Sequence, residues 1–195
     1  MPLTRGQLDL AGWCSITNAL IAIPSLAMSW FLETVKGIGP RLSQAILTVV
    51  GLGLFLYVIY SFRRLLNGRF KFHEVDIYIS LMIWGNVVLA VTSLLSLGTS
   101  KLESFMESLT VAALIVFGIL SIMFATRLLR LAGDLYGLLK AFCYTTIMSG
   151  ICLVTVFLLP VAILAGAVAD VILGVVFFRA AEQTSQDEIL STPIE

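Results

Sequence analysis

The chain has 195 residues, of which 59% are hydrophobic and 12% charged, and its formal net charge is zero. Its mean hydropathy of +1.02 far exceeds that of a soluble protein, in which about 45–50% of residues are apolar and about 25% are charged. This balance argues against a separate soluble domain and against nucleic acid as a partner. We expect one all-α integral membrane domain, a helical bundle, over residues 1–183.

Apolar stretches of about 20 residues, the length that crosses a bilayer as a helix, recur along the chain. The stretch 141–178 would be roughly 57 Å long as one helix, so it must fold into two crossings. We place that turn near Pro160, with Gly166 as the alternative, and Pro24 predicts a kink in the first span. The predicted transmembrane spans are six: 10–32, 42–62, 77–97, 105–126, and the two arms of 141–178.

Basic residues mark alternate loops, which is the pattern that fixes membrane topology. Nine of the twelve Lys and Arg residues fall on one predicted side, and three fall on the other. This predicts that both termini are cytoplasmic, in a membrane of the bacterial inner (plasma) type. The predicted inner set is Arg5, Arg63, Arg64, Arg69, Lys71, Arg127, Arg130, Lys140 and Arg179, and the outer set is Lys36, Arg41 and Lys101.

Two further features concern the ends of the chain. Arg5 followed by an apolar run and Ala27-Met28-Ser29 also fits a secretory signal peptide, although the run is long for one. At the other end, residues 184–195 are polar and acidic, which predicts a short disordered tail.

The even-numbered spans end alike, each leaving the membrane through an arginine, Arg63, Arg127 or Arg179. This favours three tandem helical hairpins of one orientation. The odd-numbered spans show a weaker similarity: Asn18 and Asn86 lie at similar depth in the first and third spans, and Ser149 lies near that depth in the fifth. The simpler interpretation is that any basic inner loop produces the match.

Asp170 is the one acidic residue deep in a predicted span, where a charge costs at least about 2.5–3.5 kcal/mol. Ala162, Gly166, Asp170 and Gly174 form a ridge of small residues that lets a neighbouring helix approach. The carboxyl is therefore either an interhelical tie or a group that handles protons or cations. With Asn18 and Asn86, amides inside spans, it forms the candidate intramembrane polar site.

No cofactor or metal site is predicted. The cysteines, Cys14, Cys143 and Cys152, fall in apolar stretches and lack the spacing of a metal site. His73, beside Glu74 and Asp76, could serve a membrane-embedded lipid enzyme, although a lone loop histidine is usually only solvated.

The two predicted inner loops carry candidate contacts for lipid headgroups or a protein partner. In the first, Asn67-Gly68 predicts a turn, and in the second, residues 127–136 place polar groups on one stripe of an interfacial helix. The alternative is ordinary positive-inside charge that only orients the helices. The candidate residues are Arg63, Arg64, Arg69, Lys71, Arg127 and Arg130.

Our leading expectation for function is a non-enzymatic membrane protein that acts as a partner-binding, assembly or accessory subunit. It would contact membrane lipids and either a protein partner or a second copy through small-residue helix faces. The alternative is a small transporter or channel in which Asp170, Asn18 and Asn86 line a polar path.

Overall fold

A computed structural model describes residues 3–34, 38–96, 103–131 and 133–191 of the chain. Over these ranges all regular structure is helical and no strand is present. Four helices, within 42–70, 76–94, 108–128 and 159–186, are long and apolar enough to cross a membrane, which indicates a membrane protein. The helices are α1 (Arg5–Thr34), α2 (Ile38–Leu65), α3 (Asp76–Ser96), α4 (Glu103–Leu128), α5 (Leu139–Val154) and α6 (Leu159–Ser191).

Each of the six predicted spans corresponds to a helix, and α1, α2 and α4 extend beyond both predicted ends of their spans. α1 begins at Arg5 and continues through Pro24. α6 continues to Ser191, and residues 192–195 lie outside the described ranges. Thr184 donates a 2.9 Å hydrogen bond to the Ala180 carbonyl, and Arg5 donates a 3.2 Å bond to the Ser185 hydroxyl. Disorder of the tail from Thr184 stays a prediction.

The turn between α5 and α6 covers residues 155–158, immediately before the predicted position. Val156 reverses the chain with a left-handed φ of 54°, while Pro160 lies in the first turn of α6, where its missing N–H costs nothing. Gly166, the alternative turn position, lies inside α6. α5 has 16 residues, about 24 Å at 1.5 Å per residue, and is the shortest of the α-helices.

The six helices form a closed ring. Each packs against the helices before and after it in the chain, and the ring closes through α6 on α1, which make the most extensive contact of all. Small residues permit the closest approaches: a Cβ added to Gly118 of α4 would lie 2.7 Å from the carbonyl oxygen of Gly150 in α5, and one added to Gly174 of α6 would lie 3.2 Å from that of Gly12 in α1. The ring leaves a space along its middle.

We call the end of the ring that carries residues 63–76 and 127–140 the basic end, and the end that carries residues 155–158 the opposite end. At the basic end the predicted turn at Asn67-Gly68 is wrong, because a π-helix, Leu66–Phe70, continues α2. The chain turns at Lys71, whose φ is 51°. The amide nitrogen of Asn67 donates to both carboxylate oxygens of Asp76, at 3.0 and 3.1 Å, and this contact stabilises the wider helical turn.

The predicted interfacial helix over residues 127–136 is also wrong. α4 ends at Leu128, and a short 3₁₀ helix, Leu135–Gly137, follows with Tyr136 in a left-handed conformation. Tertiary contacts override the helical pattern, because Arg179 donates to the Tyr136 carbonyl at 2.5 Å and Phe70 packs edge-to-face on the Tyr136 ring with centroids 6.1 Å apart.

Of the three residues assigned to the predicted outer side, Lys36 and Lys101 lie outside the described residues, as does the side chain of Arg41. The predicted threefold repeat and the kink at Pro24 stay predictions.

Candidate functional site

All six helices border a central cavity of about 230 Å³ in the middle of the ring. The three residues of the predicted intramembrane polar site, Asp170, Asn18 and Asn86, all line it. Sequence reasoning placed them in separate spans, and the closure of α6 on α1 brings them to one space. The remaining lining residues are Phe55, Val58, Ile59, Met82, Phe117, Ser121, Phe124, Phe142, Thr146, Ser149, Leu153, Gly166, Ala169 and Leu173.

Asp170 is tied to α1 and also faces the cavity. Its Oδ2 accepts a 2.7 Å hydrogen bond from the Asn18 amide nitrogen, and its backbone carbonyl accepts a 2.7 Å bond from the buried Ser15 hydroxyl. Among the described residues, no Lys or Arg forms an ion pair with Asp170. The carboxyl therefore combines an interhelical contact with an open side toward the cavity.

Three hydroxyl groups add to the polar lining. Ser121 and Thr146 donate to the Phe117 and Phe142 carbonyls on their own helices, at 2.9 and 2.8 Å. Ser149 donates across to the Ala162 carbonyl of α6 at 2.9 Å. Since each hydroxyl proton is used by the backbone, the oxygens have only lone pairs left to offer a ligand.

A second cavity of about 490 Å³ continues from the first toward the opposite end. Asn18, Asn86 and Phe55 line both cavities. The Asn86 side chain has no hydrogen-bond partner among the described residues, so its amide is available at the junction. Polar groups of the second cavity are Gln44, Thr48, Ser93 and Thr110.

Aromatic rings close the central cavity toward the basic end. Phe62, Phe124, Phe142 and Phe177, which we call the phenylalanine cluster, come from four different helices and are all buried. The Phe62 ring contacts the other three at centroid distances of 5.6 to 6.4 Å, and it lies one helical turn beyond Val58, which lines the cavity. Among the described residues, the cavities therefore extend from the phenylalanine cluster toward the opposite end of the ring.

At the basic end, the candidate lipid contacts divide into partnered and exposed residues. The Arg63 Nε donates to Asp76 Oδ1 at 2.9 Å, in an ion pair whose side chains are 37% and 24% exposed. Burial alone would raise the pKa of the Asp76 carboxyl, but hydrogen bonds from Asn67 and Arg63, with the Arg63 charge, outweigh it and hold the pKa below its ordinary value of 3.8. This pair supports the loop.

Arg69 also contacts the protein itself. It donates to the Tyr136 hydroxyl at 2.9 Å and to the Ala180 carbonyl at 3.0 Å, and its guanidinium carbon lies 5.9 Å from the centre of the Tyr136 ring. Arg64 lines a surface cleft beside Arg69. The other three candidates, Lys71, Arg127 and Arg130, are exposed.

His73 is exposed, and its Nδ1 lies 3.5 Å from Asp76 Oδ2. Asp76 already binds Arg63 and Asn67, whereas the neighbouring Glu74 is exposed. The alternative of a lipid enzyme that uses His73 stays a prediction. Within the described ranges, no group of three or more His, Cys, Asp or Glu residues is placed to hold a metal ion. The three cysteines are free thiols.

Sequence reasoning missed the aromatic and hydroxyl lining of the central cavity. Phe55, Phe117, Ser121 and Thr146 carry no distinguishing signal, because apolar and hydroxyl residues are common throughout transmembrane helices. No family model, curated protein or solved structure matches the chain.

Proposed function

We propose that the protein is a small membrane transporter or channel for protons or cations, with Asp170 as the carboxyl that binds the transported species. The supporting observation is that Asp170 faces a cavity bordered by all six helices. A carboxyl that served only as a tie would be expected in a dry contact between two helices.

The second cavity supports a route for the solute. It joins the central cavity at Asn18 and Asn86 and extends toward the opposite end, while the phenylalanine cluster blocks the way to the basic end. A cavity system closed at one end by the phenylalanine cluster fits alternating access better than a continuous pore, because a pore would need an opening at both ends.

The proposal includes a topology. All six helices cross a membrane of the bacterial inner type, and the basic end and both termini are cytoplasmic, as the Lys and Arg distribution indicates. Alkaline phosphatase and green fluorescent protein fused after Glu195 test this. Fluorescence without phosphatase activity supports the topology, and the reverse pattern contradicts it.

Flux measured in proteoliposomes tests the proposed function. We expect the purified protein to carry protons or sodium ions down an imposed gradient, measured with a trapped pH dye and with ²²Na⁺. Asp170→Asn should abolish the flux. Asp134→Asn is the matched control, because Asp134 is exposed at the basic end. Absence of flux above that of empty liposomes for protons, sodium and small organic cations alike, or full flux in Asp170→Asn, would contradict the proposal.

An accessory or assembly subunit is the second candidate function. Its support is an exposed apolar face on α3, formed by Ile77, Leu81, Trp84, Val88 and Val91, with Trp84 69% exposed. Trp84 lies near the middle of α3, whereas lipid-facing tryptophans concentrate at the membrane interfaces. Gly12, Gly174, Gly118 and Gly150 already pack within the chain, so a partner or second copy would bind this face.

Purification in mild detergent tests the second candidate. A stable complex, with a partner or with itself, that Trp84→Ala dissociates would support it. Trp13→Ala is the control, since Trp13 is also exposed, at 63%, but lies on α1. A monomer under all conditions would contradict it, and the expectation of a non-enzymatic protein stays a prediction under either candidate.

A further inference from the structure

The central cavity has the chemistry of a binding site for an organic cation. We infer that the transported species is a compact organic monocation, an alkylammonium ion whose nitrogen carries or lies beside small apolar groups. The inference rests on the proposed function, and it names the class of solute that Asp170 would bind.

The charge of the cavity favours a single positive charge. Among the described residues that line the cavity, Asp170 is the only acidic one and none is basic. The Asn18 amide occupies one hydrogen-bonding direction of Oδ2, so the rest of the carboxylate is available to a ligand. Because the hydroxyls of Ser121 and Thr146 already donate their protons to the backbone, their oxygens accept hydrogen bonds and suit a donor such as an ammonium N–H or the hydroxyl of an alkylammonium alcohol.

Four phenylalanine rings line the same cavity. Phe55 and Phe117 have ring centroids 6.5 Å apart, and Phe124 and Phe142 have centroids 6.4 Å apart. The face of an aromatic ring attracts a cation through its quadrupole, and alkylated ammonium ions are recognised in this way by aromatic cages. The rings also bury the apolar groups that such an ion carries.

The same lining disfavours a dehydrated metal ion. Hard cations such as Ca²⁺ and Mg²⁺ take about six to eight oxygen ligands and favour carboxylates. The cavity lining offers one carboxylate, and its other oxygens are amides and hydroxyls interspersed with four aromatic rings. The described residues contain no cluster of His, Cys, Asp and Glu that could complete a coordination shell. An ammonium ion needs far fewer oxygen contacts, since its alkyl groups are stabilised by the apolar wall.

The size of the cavity limits the solute. Its volume of about 230 Å³ lies below the roughly 300–1,000 Å³ typical of pockets for drug-sized ligands. Small alkylammonium ions suit this space, whereas a large polycyclic cation would require the helices to separate.

Choline and its uncharged carbon analogue, dimethylbutanol, are a matched pair of probes, because they share a shape and differ in charge. We expect the full chain in detergent to bind radiolabelled choline in equilibrium dialysis, and dimethylbutanol to compete at least about tenfold more weakly. Asp170→Asn should weaken choline binding about 100-fold or more, since the cation loses its buried counter-charge. Asp134→Asn should leave binding unchanged.

A phenylalanine pair tests the aromatic contribution. Phe117→Leu keeps an apolar side chain but removes the ring, and we expect about tenfold weaker choline binding with little change for dimethylbutanol. Phe157→Leu is the control, because Phe157 is 91% exposed in the turn between α5 and α6. Phe55→Leu is a second ring variant, to be used if Phe117→Leu does not elute as a folded protein.

The outcomes separate the two claims. Asp170-dependent proton or sodium flux without choline binding would overturn the organic-cation inference and leave the proposed function intact. Choline binding that survives Asp170→Asn, or equal binding of the charged and uncharged probes, would also overturn the inference. Absence of both flux and choline uptake in proteoliposomes would overturn both claims.

Discussion

The Asn18 amide donates a 2.7 Å hydrogen bond to the Asp170 carboxylate across the interface between α1 and α6, at the wall of the central cavity. This contact joins two roles that are often treated as alternatives. The carboxylate holds together the pair of helices that closes the ring, and its remaining surface faces the cavity. In the proposed transporter, the same carboxyl would both join two helices and bind the transported cation.

Asn18→Ala should lower the free energy of unfolding by about 1.5–3 kcal/mol, the range for a hydrogen bond to a charged group, because Asp170 loses its amide donor. Reversible unfolding in mixed detergent micelles measures the change. Thr17→Ala is the control, since Thr17 is the adjacent residue of α1 and is exposed. Equal stability of the two variants would mean that the Asn18 contact contributes nothing to closure of the ring.

Gly118→Ala should destabilise the fold by about 1–3 kcal/mol, the usual cost of overpacking. The new Cβ would lie 2.7 Å from the Gly150 carbonyl oxygen, a backbone atom that cannot rotate away. Gly53→Ala is the matched control, because a Cβ at that helical position has no atom within 4 Å, and alanine should stabilise the helix by up to about 1 kcal/mol. Thermal unfolding of both variants tests the prediction, and a stable Gly118→Ala protein would contradict it.

The number and order of the helices could be predicted from the sequence, because each helix corresponds to an apolar stretch and the residues that flank it indicate the turns. Asp170, Asn18 and Asn86 could also be singled out, since polar groups in apolar spans are conspicuous. Their meeting in one cavity could not be predicted. It depends on α6 packing against α1, and a helix that is apolar on most faces does not reveal which face its neighbour covers.

The loops at the basic end were the least predictable part, because long-range contacts there outweigh local propensity. Asn67-Gly68 is a strong turn signal, yet two hydrogen bonds to Asp76 keep Asn67 in a π-helix. The helical stripe over residues 127–136 is interrupted at Tyr136, whose carbonyl binds Arg179, 43 positions away in the chain. Such contacts appear only once the ring has formed.

Asp76→Ala should destabilise the basic end by about 1–2 kcal/mol at neutral pH, allowing for its partial exposure, because Arg63 and Asn67 lose their shared acceptor. The pKa of Asp76 is lowered in the folded protein from its ordinary value of 3.8. The contribution is therefore fully present above that value and is lost as the pH falls through it toward the folded-state pKa. Stability measured against pH should converge for the variant and the native protein in acid.

Glu74→Gln is the control for this pH dependence, since Glu74 is an exposed carboxyl in the same loop. It should leave both the stability and its pH profile unchanged. A difference between Asp76→Ala and the native protein that persisted undiminished at the lowest pH would mean that the carboxylate charge is not what stabilises the loop.

Cysteine labelling should distinguish the two sides of the phenylalanine cluster. In a background with Cys14, Cys143 and Cys152 replaced by alanine, Ser93→Cys should react readily with a charged methanethiosulfonate, because Ser93 lines the cavity that extends toward the opposite end. Ser61→Cys should react far more slowly, because Ser61 is 3% exposed and lies beside Phe62. Both substitutions are nearly isosteric, so the comparison isolates the accessibility of the thiol.

Two labelling experiments check this prediction. Labelling of detergent-solubilised protein tests the cavity, because the reagent reaches both ends of the ring. Labelling of intact cells tests the topology, because Ser93→Cys should react from outside. Comparable rates at the two positions in detergent would mean that the cluster does not close the ring.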